Sequence, residues 1–232
     1  AEGNEATARE ARACGVPART LVCDVADPDS VQAMADHVHA EIECLDILMN
    51  NAGIGSAGRF LDTRLETWRK VMDVNLMGVV HGCHAFLPNM VQRGQGGHVI
   101  NTASAAAFIA APDMPIYAAS KFAVQGFTEA LRGDMAQHGI GVTAICPGII
   151  NTAIVANSIM EGKMGDSERH DKVVKFYQKR NYTPEQVAGV ILRAVQKNVA
   201  VQPISPEAWG MYLAKRFVPG VVSKLSEREL PF

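Results

Sequence analysis

Several features that would indicate other classes of protein are scarce in this chain of 232 residues. The formal net charge is only −2, so no surplus of positive charge is present to attract nucleic acid or an anionic membrane surface. No apolar run approaches the roughly 18 residues of a membrane span, and the amino end does not resemble a signal peptide. We therefore expect no nucleic-acid partner, no membrane span and a cytoplasmic protein.

Cysteine is also sparse and shows no pairing pattern. The five cysteines are odd in number and form no C-x-x-C motif, which favours reduced, mostly buried thiols over a disulfide framework or a zinc site. They are Cys14, Cys23, Cys44, Cys83 and Cys146. His81 and His84 would share a helical face, but no neighbouring Asp, Glu or Cys completes a ligand set. We expect surface or subunit-contact histidines and no metal.

A chemical pattern is present in Y-A-A-S-K at residues 117–121. Tyr117 and Lys121 stand four residues apart, a spacing that places both on one face of a helix with Cβ atoms about 5–6 Å apart. A fixed ammonium stabilises a phenolate, so we expect Lys121 to lower the pKa of Tyr117 from about 10 towards neutrality. Tyr117 would then act as an acid/base near neutral pH.

Further polar motifs follow apolar runs elsewhere in the chain. Ser104 closes the run 98–104, which places its hydroxyl at the carboxyl end of a predicted strand, where open α/β sheets hold ligands. The others are Asn50-Asn51-Ala52-Gly53, Asn75 within V-N-L-M-G, and Pro147-Gly148. A Tyr-x-x-x-Lys pair alone occurs by chance on many surface helices. In this order, however, the motifs together resemble the short-chain dehydrogenase/reductase family, over essentially the whole chain.

The resemblance implies a Rossmann-like fold, NAD or NADP as cofactor, and a role for each matching residue. Ser104 would hydrogen-bond the substrate oxygen, Tyr117 would donate or remove its proton, and Lys121 would also hold the nicotinamide ribose. The implied cofactor-binding residues are Asp24, Val25, Asn51, Ala52, Gly53, Tyr117, Lys121, Pro147, Gly148, Ile150 and Thr152. Asp24 would receive the adenine amino group, although it could equally cap a turn. A plain tight turn is likewise the alternative for residues 51–53.

Asn75 lies on a helical stripe that is otherwise apolar. Its neighbours on that stripe are Trp68, Val71, Val79 and Cys83. Because a buried amide needs hydrogen-bond partners, Asn75 could be a core residue bonded to backbone. The family resemblance implies a catalytic role, in which Asn75 holds a water that relays protons from Lys121. The two accounts are compatible.

Apolar runs alternate with helical patterns along the chain. This alternation predicts a single α/β domain over residues 1–232, with a mostly parallel, doubly wound sheet in three layers. Strands are expected at 18–23, 45–49, 98–104, 142–146 and 199–204. Helices are expected at 4–13, after Asp27-Pro28, around Asn75, around Tyr117, and from Thr183 to Lys197. Residues 153–182 lack a strong period and are a candidate lid.

The family pattern begins with a strand and a glycine-rich turn that this sequence does not contain. No G-x-x-x-G-x-G motif occurs before Asp24. We expect roughly thirty to forty residues to precede Ala1 in the natural protein, and strands 18–23 and 45–49 to lie about 14 Å apart, since two strands would separate them. The chain could also belong to a longer, multidomain protein. The segment that chooses between NAD and NADP is not in this sequence.

The predicted reaction is hydride transfer between a nicotinamide dinucleotide and a carbonyl or secondary alcohol. The residues expected to wall the pocket carry little charge, which favours an apolar substrate. They are Ala105, Ala106, Ala107, Phe108, Ile149, Ile154, Val155, Ile159 and Met160. A catalytically idle nucleotide-binding or regulatory module is the alternative. Small residues on the Tyr117 helix, and the resemblance, imply a homodimer or homotetramer.

Overall fold

The computed structural model describes residues 2–180 and 182–227. The strands are β1 (Ile47–Asn50), β2 (Ser56–Ala57), β3 (Gly97–Thr102), β4 (Ile140–Pro147), β5 (Ile159–Met160) and β6 (Val201–Ile204). A parallel sheet contains four of them in the order β1-β3-β4-β6. A short parallel ladder pairs β2 with β5. The carboxyl ends of β1, β3 and β4 therefore meet at one edge of the main sheet.

The helices alternate with these strands. They are α1 (Glu2–Ala13), α2 (Pro28–His39), α3 (Leu65–Met72), α4 (Gly78–Arg93), α5 (Pro115–Ala136), α6 (Ser167–Arg180), α7 (Pro184–Gln196), α8 (Pro206–Phe217) and α9 (Pro219–Ser226). Two helix starts follow directly from local sequence. The Asp27 side chain caps α2, and Thr183 forms a capping box with Gln186 at the start of α7, each with a proline in the first turn.

Helices cover both faces of the main sheet. Because successive strand residues point to opposite faces, Val99 and Val142 pack into the larger core with α4 and α5, whereas Ile100 and Ile145 pack into a smaller core under α7. The residues of β3 and β4 are almost entirely buried, as expected for a parallel sheet covered on both sides. The predicted three-layer, Rossmann-like α/β fold is confirmed.

The strand predicted at 18–23 is wrong. These residues run outside any helix or strand, and the side chain of Val22 is 89% exposed. A β-strand needs a neighbour to complete its ladder of hydrogen bonds, and the described residues place none beside this segment. Because residues 18–23 form no strand, the predicted separation of about 14 Å between two strands does not apply. Strand β1 pairs with β3 and not with residues 18–23.

The candidate lid, residues 153–182, contains regular structure that the sequence pattern does not reveal. It includes β5 and the 14-residue helix α6. Among the described residues of α6, Val173 is buried whereas most of the others are exposed, which explains why no helical apolar period is visible. No helix within the described ranges is long and apolar enough to cross a membrane.

Candidate active site

The structure brings Tyr117, Lys121 and Ser104 to the carboxyl edge of the sheet. Ser104 follows β3 directly, and Tyr117 and Lys121 lie in the first turns of α5. The Lys121 Nζ atom is 5.8 Å from the centre of the Tyr117 ring. Lys121 is 3% exposed, and its ammonium donates a hydrogen bond of 2.8 Å to the carbonyl oxygen of Thr102 at the end of β3.

The predicted lowering of the Tyr117 pKa by Lys121 is wrong for this structure. Burial of the phenol raises the pKa of Tyr117, and a hydrogen bond with Ser104 offsets this only in part. Burial also lowers the pKa of Lys121, to about 8, because an ammonium loses hydration in the protein interior. Desolvation is therefore the main influence on both groups, and the pKa of Tyr117 lies above its ordinary value.

The Ser104 hydroxyl is engaged with the backbone around it. Its oxygen accepts a hydrogen bond of 3.1 Å from the Ala106 N–H, and the hydroxyl donates to the Pro147 carbonyl oxygen at 3.4 Å. The first bond caps a short 3-10 helix, Ala105–Ala107, which explains why β3 ends at Thr102 rather than at Ser104. Ser104 thereby links the ends of β3 and β4.

Asn75 is completely buried and bonded to two elements. Its Oδ1 accepts from the Ile54 N–H at 2.8 Å, and its Nδ2 donates to the Ile54 carbonyl and to Ser120 Oγ, each at 3.0 Å. Ser120 in turn donates to the Tyr117 carbonyl at 2.8 Å. Asn75 lies in a π-helical turn, Asp73–Met77, between α3 and α4, a local irregularity common at functional sites.

Close packing at Gly53 explains why a glycine stands there. A Cβ atom at this position would lie 3.2 Å from Asn75 Oδ1 and 3.4 Å from Lys121 Nζ. The Asn51-Ala52-Gly53 turn thus passes directly over the Asn75 and Lys121 side chains. Asn51 itself is exposed, and its Oδ1 accepts a hydrogen bond of 3.1 Å from the Thr102 hydroxyl.

Four of the predicted cofactor residues lie at the end of β4 and in the loop that follows it. Pro147 ends β4 and Gly148 follows it, while Ile150 is 8% exposed and Thr152 is fully at the surface. The Thr152 hydroxyl accepts a bond of 3.5 Å from the Ile154 N–H. The backbone and hydroxyl of this loop therefore border the same edge as Ser104.

Asp24 and Val25 lie in the segment before α2, outside any strand, and contact that segment and α4. The Asp24 carboxylate accepts from the Ala26 N–H at 3.0 Å, which is the turn-capping alternative. The Val25 carbonyl lies 3.0 Å from His81 Nδ1, and the Val25 side chain packs where a Cβ at Gly78 would be. No group of three metal-ligating side chains occurs in the described ranges.

Comparison with known proteins identifies the family of this chain. Residues 1–162 match the family described as short chain dehydrogenase. The chain belongs to the short-chain dehydrogenase family. A relative called "Probable oxidoreductase EphD" from Mycobacterium tuberculosis is 42% identical over 217 residues, which cover 92% of this chain but only 37% of the relative. This chain thus spans well under half the length of that relative.

Solved structures of the family have the same fold. A short chain dehydrogenase/reductase from Burkholderia phymatum in complex with NAD superposes with a TM-score of 0.82 at 26% identity, covering 100% of this chain and 85% of that one. A gluconate 5-dehydrogenase from Burkholderia cenocepacia in complex with NADP and tartrate gives a TM-score of 0.73 at 27% identity, covering 88% and 80% of the two chains.

Sequence reasoning missed Ser120 and Glu207. Ser120 lies within Y-A-A-S-K, three residues after Tyr117, so its spacing could have revealed that it faces back towards the site. Glu207 accepts a hydrogen bond of 2.9 Å from the Ile149 N–H, although it is far away in sequence. No local pattern signals that contact, because it depends on how α8 packs against the loop after β4.

Proposed function

We propose that this chain transfers a hydride between NAD or NADP and a carbonyl or secondary alcohol. The observation that carries the proposal is the convergence of Tyr117, Lys121 and Ser104 at one sheet edge, with Asn75 buried directly behind them. The four groups come from three separate parts of the chain, because Tyr117 and Lys121 share α5, and all four match the family motif. The membership in an oxidoreductase family supports the same conclusion.

The residues at this edge fit the ribose and carboxamide end of a dinucleotide. Lys121 Nζ donates one hydrogen bond within the described residues, to Thr102, so a three-donor ammonium retains capacity for a ribose hydroxyl. Asn51 and Ala52 are exposed and directly precede Gly53, which packs against Lys121, and the loop that begins at Pro147 is bonded to Ser104. We assign no residue to the pyrophosphate, because no glycine-rich turn precedes Asp24. The nicotinamide would supply or accept the hydride.

The protein residues would supply position and a proton. The Ser104 hydroxyl would turn from the Pro147 carbonyl, a long bond of 3.4 Å, to orient the substrate oxygen. The raised pKa of Tyr117 keeps its proton available for donation to a carbonyl oxygen. Lys121 would then stabilise the phenolate that remains after donation. The distance between the ammonium and the Tyr117 ring is set by their four-residue spacing on α5.

Asn75 would sustain the proton path behind Lys121. Its amide holds the Ile54 backbone on one side and, through Ser120, the Tyr117 backbone on the other. Asn75 therefore fixes the position of the residue 51–54 segment relative to α5, which carries Tyr117. A water held in this neighbourhood would relay protons from Lys121 to solvent.

An apolar ketone or alcohol is the proposed substrate class. Ile150, Val155, Met164 and Val173 are buried in and beside the segment that follows β4 and bring no charge to it. Phe108 and Ala105, which the sequence placed in the pocket wall, instead lie in the main core, where Phe108 contacts Tyr212 with ring centres 5.2 Å apart. The substrate wall is thus formed mainly by residues after β4.

The test is turnover with NADH or NADPH on a panel of long-chain, cyclic and charged carbonyl compounds. We expect higher kcat/KM for hydrophobic ketones than for charged polyols or sugar acids. The opposite order would contradict the substrate class, and binding of dinucleotide without any turnover would favour an idle nucleotide-binding or regulatory module. The natural protein should be used with any flanking sequence retained.

A homodimer or homotetramer is proposed for the assembly. On α5, Phe122 is 39% exposed, and a Cβ added at Gly126 would meet no atom within 4 Å. An exposed aromatic ring beside a small residue on a long helix suits close contact with a second copy. Sedimentation of the purified protein tests this, and a monomer at micromolar concentration would contradict it.

A further inference from the structure

Glu207 joins two elements that border the candidate site. It lies in the first turn of α8, and its side chain is 17% exposed. One carboxylate oxygen accepts a hydrogen bond of 2.9 Å from the Ile149 N–H in the loop after β4. The other accepts from Arg180 Nη2, at the end of α6, at 2.5 Å. A single carboxylate thus bridges that loop and that helix.

The loop after β4 depends on a small number of backbone bonds. The Gly148 N–H donates to the Ile204 carbonyl at 3.0 Å, the Ile149 N–H to Glu207, and the Asn151 N–H to the Tyr182 carbonyl at 3.0 Å. Only the Ile149 bond ends on a charged side chain, which makes it the strongest of the three. The start of the loop is thereby held by hydrogen bonds to β6, to α8 and to the residues after α6.

The glycine at 148 is explained by the same carboxylate. A Cβ there would lie 2.4 Å from Ser205 Oγ and 2.7 Å from Glu207 Oε1, far inside van der Waals contact. Any larger residue at this position would push the Glu207 carboxylate away from Ile149. Glu207 therefore packs directly against Gly148 of the Pro147-Gly148 motif.

The charge of Glu207 is maintained despite its partial burial. Burial raises the pKa of Glu207, but the Ile149 N–H and Arg180 outweigh burial and hold the pKa below its ordinary value. The helix α6 that carries Arg180 also approaches the catalytic group. Burial raises the pKa of Tyr177 to about 12, and the charges of Tyr117 and Glu207 add to this effect.

We propose that Glu207 is a positioning residue that fixes the loop from Gly148 to Thr152 for the dinucleotide and couples this loop to α6 through Arg180. The inference rests on the proposed function, because that loop is the one proposed to hold the carboxamide. Loss of the carboxylate frees the Ile149 N–H and allows the loop to move. Dinucleotide affinity then falls, and α6 loses its attachment at its carboxyl end.

The experiment compares Glu207→Ala, Glu207→Gln and Arg180→Gln with the unsubstituted protein. Affinity for NADH and NADPH is read from nicotinamide fluorescence, and exchange of the Ile149 amide is read by hydrogen–deuterium exchange without dinucleotide. For Glu207→Ala we expect dissociation constants about tenfold higher, the value of one charge-assisted hydrogen bond, and faster exchange at Ile149. Glu207→Gln retains an acceptor and should show a smaller change in both measurements.

A matched control is available on α6, the helix that carries Arg180. Glu168 pairs with Lys172 at 2.8 Å on the exposed face of α6, so Glu168→Gln removes an ion pair without touching the loop. It should leave affinity and Ile149 exchange unchanged. Gly148→Ala displaces the Glu207 carboxylate without removing it and should reproduce the effect of Glu207→Ala, which keeps the test valid if the latter variant does not fold.

The two levels of inference fail in different ways. If the unsubstituted protein binds neither NADH nor NADPH, the proposed function is wrong. If it binds one of them and Glu207→Ala binds it equally well, the positioning role of Glu207 is wrong while the proposed function stands. Faster exchange at Ile149 with unchanged affinity also contradicts the proposal, because it reduces Glu207 to a structural contact. A higher KM for the dinucleotide with a smaller change in kcat supports it.

Discussion

The two sides of the candidate site are held together by different forces. The inner wall, which consists of Asn75, Ser120 and Lys121, is at most 3% exposed and is bonded mainly to backbone atoms. The outer wall, residues 153–180, is held by the two-residue ladder of β2 with β5 and by ion pairs that reach the surface. Buried hydrogen bonds define one geometry, whereas exposed ion pairs contribute little and allow movement.

This difference separates chemistry from substrate selection. The inner wall holds the Lys121 ammonium and, through Ser120, the backbone of the proposed proton donor Tyr117, with the fixed geometry that acid/base catalysis would require. Under the proposed function, the outer wall would close the apolar side of the substrate pocket, and its weaker contacts would let it adjust to different substrates. Substitutions in the inner wall should therefore reduce kcat or stability strongly, and substitutions in the outer wall should change KM and salt dependence weakly.

The largest effect is expected for Tyr117→Phe. This substitution keeps the ring and its packing but removes the exchangeable proton, so turnover should fall by about 10²–10⁴-fold, the range for a lost general acid/base. Folding and dinucleotide binding should stay near normal. Turnover is measured with the best ketone of the panel, and the thermal midpoint serves as the control. Retention of more than about a tenth of the activity would rule out this role.

Asn75→Ala should be the most destabilising single change in the inner wall. It removes three hydrogen bonds and leaves the Ile54 N–H and carbonyl without this partner in a buried environment. We expect the free energy of unfolding to fall by about 3 kcal/mol, because each backbone group left without a hydrogen-bond partner costs roughly 1–3 kcal/mol. Urea denaturation measures it. Asn89→Ala, at a half-buried position on α4, is the control, and an equal effect there would contradict the argument.

Lys121→Met should increase stability while abolishing activity. Burial lowers the Lys121 pKa to about 8, so between about pH 8 and the unfolded value near 10.4 the unfolded chain binds the extra proton. The stability of the unsubstituted protein should therefore rise with pH across this window, and the cost of the buried ammonium is fully present below it. The variant should gain about 3 kcal/mol at pH 7, from a shift of about 2.4 pKa units at about 1.4 kcal/mol each, and lose the slope above pH 8. Equal slopes in both proteins would refute the prediction.

The sequence points to Asn75 and Lys121 of the inner wall because their signals are local and chemical, although it missed Ser120. The four-residue spacing of Tyr117 and Lys121, and the polar residues at strand ends, follow from helix and strand periodicity. The same reasoning fails for the pKa of Tyr117, which depends on burial, a property of the whole fold. It fails for residues 18–23 because a strand also requires a neighbour, which propensity cannot provide.

The outer wall is poorly predicted for a related physical reason. Helix α6 is mostly exposed, so its residues carry no apolar period that would reveal it. Its contacts with Asp113, Val155 and Glu207 join positions far apart in the chain. Such contacts depend on the tertiary fold, and a single sequence contains no pattern that pairs them.

The smallest effect is expected for Glu161→Gln in the outer wall. Glu161 binds Arg64 Nε at 2.7 Å and the Thr67 hydroxyl at 3.0 Å, but the Arg64 side chain is 73% exposed. Because solvent screens this pair, the change in unfolding free energy at pH 7 should stay within about 1 kcal/mol. KM for the ketone should change by less than about threefold, with kcat unaffected.

The pH dependence of stability tests whether the ionised Glu161 carboxylate stabilises or destabilises the folded protein. Burial raises the pKa of Glu161, but the bonds from Arg64 and Thr67 outweigh burial and keep the pKa below its ordinary value. A carboxylate with a lowered pKa contributes stability above the unfolded value of about 4.3 and loses it as pH falls through the folded value. The difference between the unsubstituted protein and Glu161→Gln should therefore be constant from pH 8 to about 5 and shrink in more acidic solution. A difference that grows on acidification would mean that burial dominates at Glu161 and that the outer wall resembles the inner one.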